Sequence, residues 1–369
     1  NFNQISSPYP VILAFDTHKS YQFSESAHSF YNVSYYKGTN FPTSWSGENY
    51  QQFWTTNYSG ALWATNNKPG FHFANGTYTS GSATNTITFN FKSVGVNYTL
   101  LTVGSKLFFN EWSSGGSTIN SQTGTVSGVS DSANGNYVVT FDASYVVSGS
   151  GIVLLSNNSI SGQDGIKWYD GDSTSATGLP VVTTNGWVNF SPPLTATSVN
   201  IDNLQPALYY LVGALSIVSF KDRILFFSPW VQTSSGNPIQ LQDTVIWSQN
   251  GTPYYAALTP SGQTSQSDSY YVDVTGKGGY LSAGIPENIV TVSTNEDVLI
   301  VSFSNTQTRF VFTGNDFNPF LFFSINSELG ASAPFSSINL DRGGITVGAY
   351  GIVLTTQQSA QRIDLDIPN

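Results

Sequence analysis

The chain has 369 residues, 14% of them aromatic and 9% charged, with 12 Lys+Arg against 22 Asp+Glu for a net charge of −10. So many aromatics with so few charges exclude a disordered chain, and an acidic balance without any basic run excludes a surface that grips nucleic acid. The chain has no cysteine, which rules out disulfides, thiolate metal sites and cysteine nucleophiles.

Polarity comes mainly from Ser, Thr, Asn and Gly, which favour turns and strand faces over helix interiors. The expected fold class is therefore all-β. The longest apolar stretch, "YYLVGALSIVSF" at 209–220, falls well short of the roughly 20 residues a membrane-spanning helix needs. The chain also lacks methionine, even at position 1, so it reads as processed or as a piece of something longer.

Residues 1–85 alternate aromatics with Ser, Asn and Gly. The stretch "SYQFSESAHSFYNVSYYKG" has the period of half-buried strands. "GALWATNNKPGFHFANGTYTSGS" is dense in turn residues, with Pro-Gly at 69–70 and Asn-Gly at 75–76. This segment is expected to be the first part of a propeller-like β domain.

Residues 86–160 read as an inserted small β-barrel. Its expected strands are "TITFNF", "NYTLLTV", "KLFFNEW", "GTVSGV", "YVVTF" and "GIVLLS", with Asn134-Gly135 as a hairpin turn. Residues 161–369 are expected to complete the propeller-like domain, with the last unit unfinished. Here the pattern is plain. "LSIVSF", Lys221-Asp222 and "RILFFS" form strand, polar turn and strand, followed by "TVIWS", Asn250-Gly251 and "PYYAAL". "NIVTVS", "TNED", "VLIVSFS", "TQ", "TRFVFTG" and "NPFLFFSI" make a second group, and "ITVG", "YGIVLTT" and "QRIDLDI" begin a third. Two successive groups of four short strands predict an array of antiparallel four-stranded sheets. A β-sandwich or jelly roll is the alternative.

Few residues offer chemistry. His18, His28 and His72 stand in no metal-ligand spacing. Asp170 and Asp172, beside Trp168 and Tyr169 in "WYDGD", would be the first carboxylates to test in a glycoside hydrolase. Asp-Gly is also ordinary turn chemistry, and the turn is the favoured reading. Arg309, Arg342 and Arg362 are read as inter-strand or subunit ion-pairing residues. The eight Trp and 20 Tyr would serve a glycan-binding surface if exposed, and a core if buried. Sequons at Asn32, Asn57, Asn75, Asn97, Asn157, Asn189 and Asn250 are no more than chance supplies in a chain this rich in Asn, Ser and Thr. No catalytic, cofactor-binding or metal-ligating residue is assigned.

Several stretches together carry a resemblance: "GALWATN" (60–66), "DGIKWYDGD" (164–172), "GWVNFSPPL" (186–194), "SFKDRILFFS" (219–228), "DTVIWSQNGTPYY" (243–255), "FTGNDFNPFLFFSINSELGASAPFSS" (312–337) and "VGAYGIVLTTQQSAQRIDLDIP" (347–368). They resemble the propeller-bearing nozzle or tail-tube proteins of short-tailed bacteriophages, over all but the 86–156 region. Ser228 departs from the pattern, standing where a glycine is common in that family.

The resemblance implies a non-enzymatic virion protein that forms a ring, expected to be hexameric, around the DNA channel. It implies a portal or adaptor partner above, fibre or needle proteins below, DNA passing without specific binding, and no membrane or cofactor. It implies assembly in the host cytoplasm, which suits a cysteine-free chain. A receptor- or glycan-binding virion or surface protein is the alternative, and a secreted glycoside hydrolase a third reading.

Overall fold

The computed structural model describes residues 2–3, 10–33, 45, 47–49, 51–58, 61–70, 73–77, 83–90, 103, 106–109, 122–132, 136–146, 150–155, 164–169, 187–195, 210–232, 238–253, 268–341 and 343–366. Among them the regular structure is all-β, in several small antiparallel sheets, with one short 3₁₀ turn at Asp364–Asp366.

Five of the sheets stack face against face in chain order. Sheet one is three-stranded: Leu13–Phe15, Ser20–Ser24 and Ser29–Asn32. Sheet two pairs Trp54–Tyr58, Ala61–Thr65, Lys167–Tyr169 and Trp187–Asn189 in that order. Sheet three runs Tyr210–Phe220, Arg223–Gln232, Thr244–Trp247 and Gly279–Ser282, with the short Ile239–Gln240 also on the second strand. Sheet four is Ile289–Asn295, Val298–Phe303, Gln307–Phe312 and Phe320–Asn326. Sheet five is Ile338–Leu340, Gly343–Gly348, Gly351–Thr355 and Ala360–Arg362.

The first strands of sheets two to five gather along one side. Tyr210–Phe220 lies against Trp54–Tyr58, Ile289–Asn295 against Tyr210–Phe220, and Ile338–Leu340 against Ile289–Asn295. This all-β array of small antiparallel sheets is consistent with the propeller-like arrangement the sequence predicts and with its sandwich alternative. The strands found differ at several places: Lys167–Tyr169, Trp187–Asn189 and Ile338–Leu340 are strands that the sequence pattern does not predict, and "QRIDLDI" is a strand only over Ala360–Arg362 before the 3₁₀ turn. The strand beside Thr244–Trp247 is Gly279–Ser282, whereas the predicted "PYYAAL" lies, beyond Pro253, outside the described residues.

Sheet three explains its own sequence. Ile217, Ile224, Phe226 and Ile246 point into a core shared with Trp63, Trp168 and Phe190 of sheet two and its flank. Phe220, Leu225, Phe227 and Val245 point the opposite way, into a core shared with Leu299, Val301, Phe303 and Phe310 of sheet four. Side chains alternate between faces along a strand, so a sheet covered on both faces needs apolar residues at nearly every position. The chain reverses at Lys221-Asp222, both with positive φ (49° and 57°), the conformation of a tight two-residue hairpin turn. Phe220 pairs with Arg223 across it.

Ser228 occupies the left-handed region, with φ of 46°, and is 1% exposed. Its hydroxyl accepts a hydrogen bond from Gln240 Nε2 at 3.1 Å. The backbone thus asks for glycine where the sequence places serine. Ser228→Gly is expected to shift stability by less than about 1 kcal/mol, relief of φ strain offsetting the lost hydrogen bond. Ser228→Val is expected to cost about 2 kcal/mol or more, since a β-branched side chain is a poor occupant of positive φ. Urea midpoints check the order; a valine variant as stable as wild type contradicts it.

The chain leaves sheet two after Thr65 and returns at Asp164. The two crossings are joined, with Asn66 Nδ2 donating to Asp164 Oδ1 at 2.7 Å and Gly165 N donating to the Lys68 carbonyl at 3.0 Å. Gly165 has φ of 73°, and a Cβ there would lie 2.9 Å from Gly70 N, so the close approach needs glycine. Between the crossings a six-stranded sheet forms, in the order Phe73–Thr77, Ser150–Leu155, Lys106–Phe109, Gln122–Ser132, Asn136–Val146 and Ala83–Asn90. It is an open sheet, not the expected barrel. Its edge strands, Phe73–Thr77 and Ala83–Asn90, share no backbone pairing among the described residues, and closure requires such pairing. Asn134-Gly135 lies outside the described residues, although Ser132 pairs with Asn136 around it.

Candidate functional site

Among the described residues, those singled out by chemistry do not converge. His18 and His28 are exposed on sheet one and its turn. Thr17 Oγ1 lies 2.7 Å from His18 Nδ1, and Asp16 caps the turn by accepting from the backbone N–H groups of His18 and Lys19 and from Tyr21 Oη. Against a burial that raises it, these hydrogen bonds hold the Asp16 carboxyl below its ordinary value. No group of three or more His, Asp or Glu side chains positioned to hold a metal occurs among the described residues. His72, Asp170, Asp172 and Arg342 lie outside them.

Trp168 and Tyr169 are fully buried. Tyr169 stacks on Trp187 with centroids 4.9 Å apart, and its hydroxyl donates to Gln22 Oε1 at 2.6 Å, tying sheet two to sheet one. Trp45, Trp63, Trp187 and Trp247 are buried too, and Trp54 and Trp230 are half-buried. These seven tryptophans serve packing between sheets; Trp112 lies outside the described residues.

The arginines take local partners. Arg309 stands over the Phe323 ring, 5.1 Å from its centroid, across the strand pair that joins them. Arg362 makes a two-pronged ion pair with Asp364, at 3.1 and 2.8 Å, within the turn that follows its own strand. Within the chain the pair is local to one strand and its turn, not the inter-strand pairing that was one of the two expected uses. It arises because the 3₁₀ turn at Asp364–Asp366 folds the carboxylate back onto the preceding arginine.

Of the three adjacent charges, Lys221 reaches Asp297 of the neighbouring hairpin turn at 2.8 Å. The Asp222 carbonyl accepts from Gly251 N at 2.8 Å. Arg223 is only 4% exposed and donates to the Ser248 carbonyl at 2.8 Å. Burial lowers the Arg223 pKa, against the opposing charge of Asp316. The trio therefore fastens the turn of sheet three to its neighbours.

Asp316 also lines a cleft of about 400 Å³, between the 272–281 segment of sheet three and the 316–321 segment of sheet four. Asp273, Lys277, Trp247 and the exposed Phe317 complete much of its wall. Gly279 lets the chain lie flat there, since a Cβ would sit 2.5 Å from the Trp247 ring. Lys277 is held by Asp268 at 2.9 Å. Burial, joined by the charges of Asp268 and Asp273, raises the Tyr271 phenol. The cleft combines carboxylates with an aromatic wall, and its cation is engaged in an ion pair.

Sequence reasoning gave no role to Lys167. It is wholly buried on the face of sheet two that meets sheet one, with Nζ donating to the Asp164 carbonyl at 2.7 Å and lying 4.8 Å from the Trp45 ring centroid. Burial pushes its pKa down to about 7, opposed by the Asp164 carboxylate.

The fold and these contacts define a class: an all-β protein of serially stacked small antiparallel sheets, joined by short-range polar clasps. No family model and no curated protein matches the chain. Among solved structures it is similar to the phage phi92 endosialidase, at 12% identity and a TM-score of 0.18, over 92% of this chain and 52% of that one. The chain spans about half the length of that structure, and the likeness is too slight to carry either fold or activity across.

Proposed function

We propose that the protein is a non-enzymatic structural component of a short-tailed bacteriophage tail, a subunit of a nozzle or tail-tube ring enclosing the DNA channel. The ring would join a portal or adaptor to the distal tail parts. The observation that carries this reading is that the resembling stretches are structural units of one stack. "SFKDRILFFS" is the central hairpin of the doubly covered sheet three, "DTVIWS" its third strand, and "DFNPFLFFSIN" leads into and forms the last strand of sheet four. The net charge of −10 supports it as well, because an acidic lining repels phosphates where a basic one would bind them.

The test is to raise antibodies against the purified protein and apply them, gold-labelled, to virions that contain it by mass spectrometry. Label confined to the tail vertex below the portal is expected. Virions free of the protein, or label spread over the capsid, would overturn the assignment.

A further inference from the structure

Sheet five is built inside out. Its strands alternate strongly, and the face toward the protein is largely polar: Thr346 and Thr355 are each 1% exposed, with Val353 beside Thr346 equally buried. Both meet the fully buried Gln307 of sheet four, whose amide donates to Thr346 Oγ1 at 3.3 Å and whose carbonyl accepts from Thr355 Oγ1. The apolar set faces outward. Ile338, Ile345 and Leu354 form one cross-strand row, and Val347 and Ile352 another. Ile338, Leu340 and Val347 are 62%, 49% and 48% exposed. An amphipathic sheet normally buries its apolar face, and a contiguous exposed apolar patch marks a surface that another body covers.

The opposite end of the stack matches it. Sheet one turns Leu13 and Phe15 toward sheet two. Its other face carries Ala14 opposite Tyr21, and Phe23 opposite Phe30 in ring contact at 5.3 Å. Ile12 lies beside Phe23, and Ile12 and Phe30 are 40% and 50% exposed. Among the described residues the sheet faces between these two ends are set mainly against another sheet, except at the outer edge of sheet four, where Leu321 and Phe323 on the side toward sheet five are each 42% exposed. The two end faces are thus the open ends of one continuous series of sheet-on-sheet interfaces, one aliphatic and the other aromatic. The rows contain no charged residue, in keeping with the depletion of charge at the core of protein interfaces; Asn32 and Gln361 end two of them, and the Asp16 carboxylate accepts from Tyr21 Oη at the rim of sheet one.

We propose that the outer face of sheet five binds the outer face of sheet one of a second copy of this chain. The contact is heterologous, so each copy keeps one face free, and repetition gives a closed ring or an open filament. Closure into a ring rests on the reading of the protein as a ring subunit; the pairwise contact does not.

Sedimentation of the full chain tests it, with Val347→Asp to block sheet five and Phe30→Asp to block sheet one. The wild type is expected to form oligomers whose size grows with concentration or stops at a ring. Each variant alone is expected to be monomeric, with association weakened at least tenfold, and an equal mixture of the two is expected to give dimers, because each supplies the face the other has lost. A monomeric wild type, variants that still assemble, or a mixture that stays monomeric would overturn the proposal. Near-UV circular dichroism checks that the variants fold, and Ile338→Asp replaces Val347→Asp should that one fail. Solution assembly reads this contact alone, whereas virion labelling reads the tail assignment, so the two can fail separately.

Discussion

Phe226→Ala is expected to lower stability by about 3–5 kcal/mol, the range for deleting a fully buried aromatic ring. Phe226 is completely inaccessible, in the second strand of sheet three between Ile217 and Ile246 on the same face. Its ring lies 6.1 Å from Phe190 and 6.0 Å from Tyr270. Both neighbours lie outside the regular strands of sheets two and three, so the ring joins sheet to loop as well as sheet to sheet. Lys221→Ala, five residues away, is expected to cost less than about 1 kcal/mol. Its partner Asp297 has 88% of its side chain exposed, and exposed ion pairs contribute little. Urea unfolding followed by tryptophan fluorescence compares the two. Equal losses would mean that the polar turn, not the doubly covered strand pair, holds the stack together.

Lys167→Met is expected to abolish a pH dependence. The folded pKa of Lys167, about 7, lies below the ordinary lysine value of 10.5. Below about pH 7 the lysine is protonated in both states, and its burial penalty is constant. Between about 7 and 10.5 the unfolded chain holds the proton that the folded chain has released, so stability rises with pH, by up to about 1.4 kcal/mol per unit. Methionine removes that rise. Near pH 7 the variant is expected to equal or exceed the wild type, because an apolar side chain of similar shape replaces a buried charge. The wild type should then gain on it steadily as pH increases to 10. A constant difference between the two across that range would show that Lys167 keeps an ordinary pKa in the fold.

How much was readable in the sequence depended on how many faces each strand buries. "LSIVSF", "RILFFS" and "VLIVSFS" were legible because two covered faces leave almost no polar position between turns. The Lys221-Asp222 turn was legible because it interrupts such a run. Gly279–Ser282 was not, being a short strand of mixed character far along the chain from the partner it completes. Lys167 gave no signal, since one lysine beside "WYDG" looks the same whether it is solvated or sealed under Trp45. In sheet five the two central strands were legible, the first strand Ile338–Leu340 was not, and the orientation of the sheet was hidden. The alternation in "ITVGAYGIVLTT" says which residues share a face, and only Gln307, distant in sequence, reveals that the threonine face is the inner one. The inserted unit was legible as strands, but the order in which they pair, with Phe73–Thr77 and Ala83–Asn90 at opposite edges although they are neighbours in the chain, is not encoded in strand patterns.

Electron cryo-microscopy of the particle that carries this protein decides whether it is a tail-ring subunit. A ring of copies around the tail axis below the portal is expected, with sheets one to five stacked in each subunit and the Ile338–Val347 face covered by the Phe23–Phe30 face of the neighbour. Density for this chain elsewhere in the particle, or as an isolated subunit with both end faces open to solvent, would contradict it.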